Sequence, residues 1–115
     1  MTMKRICLQP TDSENYDPDY NITVDIFLTE DGMPTTKMTA FGVMGGMAQD
    51  SQNIQPFLLF KDGTADFGTD WEDEYRDCRF NLRENGRAVA PGELFTFTLN
   101  GDEITYRVTQ LVNLQ

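Results

Sequence analysis

At 115 residues, 39% of them hydrophobic, the chain is long enough for one domain and has the apolar content to offset the entropy of ordering it, which excludes global disorder. Its formal charge of −10 lies wholly in the first 74 residues, where 14 acidic side chains meet only Lys4, Arg5, Lys37 and Lys61. So negative a surface repels phosphate backbones and attracts cations or basic proteins, and the absence of histidine removes the commonest general base and a favoured metal ligand.

The basic start Met1 to Arg5 is followed by only Ile6, Cys7 and Leu8 before Gln9-Pro10, so no signal peptide is expected, and no run reaches membrane length. Met3 to Gln9 reads as a first strand. An acidic cluster follows, Asp12, Glu14, Asp17 and Asp19, interrupted by Pro18. Ile22, Val24, Ile26 and Leu28 then share one face of a strand that stops at the turn pair Asp31-Gly32. Another strand begins near Lys37. Gly42 to Gln52, with Gly45-Gly46 and with Met38, Met44 and Met47 close by, has too many glycines for a strand and too few helix formers for a helix, so a loop is expected.

Ile54 to Phe60 is apolar on both parities, which predicts a strand covered on two sides, ending at Asp62-Gly63. Within Asp70 to Asp77, Asp70 is placed to cap one or two helical turns with Glu72 and Asp73 at the end the helix dipole favours. Cys78, Phe80 and Leu82 alternate with polar residues up to Asn85-Gly86. Phe95, Phe97 and Leu99 form a strand joined through Asn100-Gly101 to Ile104, Tyr106 and Val108, and that dipeptide tolerates the positive φ of a tight hairpin turn. The long run from Glu103 to Val112 is expected to lie centrally or covered, since an exposed edge of that length invites aggregation. The sum is about seven strands in a single all-β domain over 1–115, an antiparallel β-sandwich or partly open barrel with at most one short helix. Cys7 and Cys78 read as small core side chains in a reducing, cytoplasmic setting.

Catalysis finds little support. Ser13 and Ser51 are the only serines and lack glycines placed for a nucleophile elbow, and with 19 acidic residues some close carboxylate pair is inevitable. The glycines at 42, 45 and 46 lack a P-loop lysine. Arg79, Arg83, Arg87 and Arg107 could share a sheet face, but the simpler reading is arginine stems lying on a sheet with their heads in water, and no nucleic-acid partner is expected. Asp62, Asp66, Asp70, Glu72, Asp73 and Glu74 crowd one stretch without matching an EF-hand, since the loop starting at Asp62 puts Phe67 where glycine is required. No metal or cofactor is expected.

A partner site is expected at Asp70, Trp71, Glu72, Asp73, Glu74 and Tyr75, with Asp17 and Asp19 from the first acidic cluster. Here the only tryptophan stands among four carboxylates, a mix that draws in a basic protein at long range and anchors it by a rigid ring. The competing reading of Trp71 is a plug for the end of the sheets. The sequence thus points to a noncatalytic acidic module that neutralises a basic protein, in the manner of an immunity protein bound to a toxin such as a nuclease. The alternatives are a self-associating structural protein and a carbohydrate- or calcium-binding module.

Overall fold

The computed structural model describes residues 1–12, 14–35, 38–45, 54–68, 75–82 and 86–114. Period-two alternation sorts the side chains of each long strand into an inner and an outer set. In β2 (Ile22–Leu28) every even residue is buried and every odd one is half-buried. The other strands are β1 (Thr2–Pro10), β3 (Ala40–Met44), β4 (Gln55–Leu59), β5 (Ala65–Asp66), β6 (Cys78–Phe80), β7 (Leu94–Leu99) and β8 (Asp102–Asn113). They form one sheet in the order β5-β4-β3-β2-β1-β8-β7-β6, with antiparallel pairing throughout. Its two edges meet through an antiparallel bridge between Thr64 and Arg79 and a bond from the Phe80 amide to the Gly63 carbonyl at 2.8 Å. The result is a nearly closed up-and-down barrel, one of the two architectures that alternation left open.

Rings fill its interior. Phe97, fully buried, has the rings of Phe57, Phe67, Phe80 and Tyr106 around it at centroid distances between 5.3 and 6.4 Å. Eight strands enclose a space just wide enough for side chains or one small ligand, and here aromatic side chains take it. Edge-to-face and tilted ring pairs add roughly 0.5–1.5 kcal/mol each beyond area burial.

The Asn100-Gly101 hairpin forms as its sequence predicts, with φ of 54° and 88°. β8 is paired along both sides, to β1 and to β7, so the long run is covered. Four expectations are corrected. Gly42 to Met44 belong to β3, because Gly42 lies opposite Phe57, whose ring occupies the space a side chain would take. β4 is not covered on both sides, since Pro56 and Leu58 face outward and are exposed. Cys7 is half-buried on the outer face of β1 rather than in the core. Cys78 is buried, and both thiols are free, with two strands between theirs. Among the described residues the one helical turn is a 3₁₀ turn at Pro18–Tyr20; residues 70–74 of the turn expected within Asp70 to Asp77 lie outside the described residues. The eighth strand, β5, was missed because two residues are too few to show a period.

Thr35 bonds through its backbone amide to the Phe27 carbonyl at 3.1 Å, yet its hydroxyl is buried with no partner, the residue being 8% exposed. It borders a cavity of about 40 Å³ that also touches Met3, Phe27 and Met38. Removing a buried unsatisfied hydroxyl while keeping its shape relieves its desolvation penalty, so Thr35→Val is expected to raise the unfolding free energy by about 1 kcal/mol. A thermal melt should show roughly 4 °C of stabilisation. An unchanged or lower Tm would mean that a water in the cavity already satisfies the hydroxyl.

Candidate functional site

Because each strand runs opposite to its predecessor, the connections β1–β2, β3–β4, β5–β6 and β7–β8 all leave the barrel at one end. Hydrogen bonds tie the described parts of that end together. The Gly45 amide donates to the Asn21 carbonyl at 2.8 Å, the Arg76 amide to Asn100 Oδ1 at 2.9 Å, and the Tyr106 hydroxyl to the Tyr20 carbonyl at 2.6 Å. By sequence, these connections (11–21, 45–54, 67–77 and 100–101) hold ten of the 19 acidic residues and, of the nine basic ones, Arg76 alone. They therefore carry −9 of the formal −10. Among the described residues of these connections, Asp12, Glu14, Asp17, Asp19 and Asp77 face only Arg76, a net −4.

A groove of about 400 Å³ opens at this end, lined by Asp17, Asp19, Tyr20, Met44, Gln55, Tyr75, Leu99 and Asn100. Three residues singled out in the sequence, Asp17, Asp19 and Tyr75, meet here although 56 positions separate Asp19 from Tyr75. The other five, Asp70, Trp71, Glu72, Asp73 and Glu74, lie outside the described residues, in the connection whose flanks, Gly68 and Tyr75, are at this end.

Local chemistry explains each position. Asp17 caps the 3₁₀ turn, its Oδ1 accepting the Asp19 amide at 2.9 Å, and Pro18 supplies the fixed φ of a first helical position. Asp-Pro is a start signal that was read only as an interruption. The turn holds Tyr20 edge-on to Tyr16, with centroids 5.1 Å apart. Tyr75 is fixed twice, by stacking on Phe67 at 4.4 Å and by donating its hydroxyl to Gln55 Oε1 at 2.5 Å. Tyr20, Met44, Gln55, Leu99 and Asn100 were missed as site residues. Only a pattern linking distant strands could have found them, and alternation carries none.

Burial is the main cause that pushes the Tyr106 phenol well above its ordinary value, with Tyr16 and Tyr20 adding to it. The neutral phenol is therefore the folded form. Its contribution is intact below the unfolded value of about 10 and is lost as pH rises through the raised folded one. Burial likewise raises both cysteine thiols, Cys7 and Cys78, and keeps them protonated and poorly nucleophilic.

The remaining candidates disperse. Asp62 and Asp66 accept backbone amides of their own turns, from Thr64 at 2.9 Å and Gly68 at 2.8 Å. The Thr64 bonds hold the Asp62 carboxyl below its usual range. Among the described residues no group of three or more carboxylates or thiols is gathered to hold a metal ion. Arg79 lies on β6 beside Asp77 at 3.3 Å, Arg87 lies between β6 and β7 beside Glu93 at 3.6 Å, and Arg107 is on β8. Arg79 and Arg107 are both exposed on strands with β7 between them, Arg87 lies outside the strands, and Arg83 is outside the described residues. No helix among the described residues is long and apolar enough to cross a membrane.

The groove pairs carboxylates and phenol rings with the apolar side chains of Met44 and Leu99. That combination suits a lysine or arginine side chain, whose stem lies on apolar surface while its head meets the acids and ring faces. No protein-family model, curated protein or solved structure matches the chain.

Proposed function

We propose that this protein is a noncatalytic acidic module that captures a basic protein through the charged end of its barrel and neutralises it, as an immunity protein neutralises a toxin. The observation that supports the reading is the groove that brings Asp17 and Asp19 together with Tyr20 and Tyr75, at the end from which the connections carrying −9 of the −10 formal charge by sequence depart. A field concentrated this way steers a cationic partner to one pole, and the rings slow its departure. The barrel interior, filled by its own rings, speaks against a small ligand held in the lumen.

A short oligoarginine peptide is the probe for a nuclear magnetic resonance titration. Backbone shifts are expected at Tyr20, Gln55, Tyr75 and Asn100, and affinity should fall steeply between about 20 and about 300 mM salt. Trp71→Ala should weaken binding by about 2 kcal/mol, the size expected of a hot spot, with the melting temperature kept. Shifts scattered over the whole surface, or a Trp71→Ala protein that melts early but binds normally once folded, would count against the reading.

A further inference from the structure

Neighbouring strands of the barrel are joined by ladders everywhere except at the closure. β1 runs beside β2 from Thr2 to Leu8, and β7 beside β8 from Leu94 to Leu99. The ladders shorten towards the two edges of the sheet, to Cys78–Phe80 where β6 meets β7 and to Leu58 and Leu59 where β4 meets β5. Between β5 and β6 the described residues show an isolated bridge, Thr64 with Arg79, and the bond from the Phe80 amide to the Gly63 carbonyl. We propose that this closure is a gate: β5 and the turn before it part from β6 while the ladders stay formed, which uncovers Cys78 and Phe80.

Each side of the gate is held by bonds that opening leaves intact. On one side the turn closes on itself, the Phe60 amide donating to the Thr64 carbonyl at 2.9 Å, the Gly63 amide to the Phe60 carbonyl at 3.0 Å and the Thr64 amide to Asp62 Oδ1 at 2.9 Å. On the other side Asn81 continues β6 onto β7. Its amide donates to the Thr96 carbonyl at 3.1 Å, and its Oδ1 accepts the Thr96 amide at 2.8 Å. Arg79 pairs with Asp77 of its own side, and both are so exposed that the pair adds little. Across the seam little apolar packing is lost. Continuing the register of the bridge sets Ala65 beside Cys78, two small core side chains, whereas the rings of Phe57, Phe80 and Phe97 pack on one another from strands that stay paired. Phe67, just past β5, meets Phe57 at 5.1 Å and Tyr75 at 4.4 Å and marks where the moving piece ends. Over the seam lies a groove of about 300 Å³ with Asp62 on one bank and Arg79 and Asn81 on the other, and it reaches the buried Phe80. The outside of the barrel thus comes closest to its ring-filled interior along this line.

The gate does not depend on cation capture, because the turn between β4 and β5 lies at the end opposite the acidic groove. Local opening exposes far less surface than unfolding, so it responds only weakly to denaturant. Native-state hydrogen exchange of the full chain reads it without any substitution. The Phe80 amide should exchange at least about tenfold faster than amides at the centre of β1, β2 and β8, with a rate that changes little as urea is raised below the unfolding transition. A lock gives the second reading. The Phe80–Gly63 bond flanks the bridge, which makes Thr64 and Arg79 a non-hydrogen-bonded pair, the closer kind that suits a disulfide. In a Cys7→Ser background, oxidised Thr64→Cys with Arg79→Cys should slow Phe80 exchange at least about tenfold. A matching lock between β7 and β8, Thr98→Cys with Glu103→Cys, should leave it unaltered. Phe80 exchange that matches the central strands in rate and urea dependence, a seam lock that changes nothing, or equal slowing by both locks overturns the proposal.

Discussion

A single methyl group added at Gly42 is expected to destabilise the barrel by about 3 kcal/mol, the upper part of the range for overpacking a close-packed interior. A Cβ at that position would lie 2.3 Å from Cζ of Phe57, 2.6 Å from Cε2 and 2.8 Å from Cε1. The ring cannot swing aside. It is buried and meets Phe67 at 5.1 Å and Phe97 at 5.8 Å, and Phe97 in turn meets Phe80 at 5.3 Å. The backbone must therefore give, and β3 moves out of register with both of its neighbours. Urea unfolding of Gly42→Ala should show a lower midpoint with an unchanged slope. Phe57→Leu, which loses stability on its own, should lose little more when combined with Gly42→Ala, because the space the methyl needs is already vacant. Additive losses in the double variant, or a loss under about 0.5 kcal/mol in Gly42→Ala, would mean that the ring is not held where the packing requires.

The second large effect is on association. Asp17→Asn together with Asp19→Asn is expected to slow capture of an oligoarginine peptide about tenfold at low salt, with the difference shrinking as salt screens the field. Asparagine is the informative replacement because it caps the turn at Pro18–Tyr20 nearly as well as aspartate, so the fold of the groove is kept while its charge is lost. Glu30→Gln together with Asp31→Asn removes the same charge from the β2–β3 connection at the opposite end and should leave the rate nearly unaltered. Stopped-flow fluorescence would separate the two pairs. Equal slowing by both would reduce the acidic end to one more piece of a uniformly negative surface.

Local patterns made much of the wall legible. Ile22 to Leu28 and Phe95 to Leu99 declare a buried face by alternation alone, because successive strand side chains point to opposite sides whatever the strand pairs with. Asn100-Gly101 declares its turn because those residues tolerate positive φ. β5 escaped since it exists only through its pairing with Leu58 and Leu59. The outward Leu58 misled because an apolar residue marks a buried face only when something covers that face, and coverage is a property of neighbours.

By itself, the sequence determined the all-β character, the turns, the inner face of each long strand and the total charge, for each depends on residues near one another in the chain. Only the tertiary structure decided that the sheet curls into a barrel rather than splitting in two, that Asp17 and Asp19 share a groove with Tyr75, and that the four connections holding ten of the 19 acidic residues all leave the barrel at one end. Those outcomes follow from the pairing of β1 with β8 and the meeting of β5 with β6. Such long-range closures are chosen by how the rings of Phe57, Phe80, Phe97 and Tyr106 fill a shared interior. No window of a few residues contains that information.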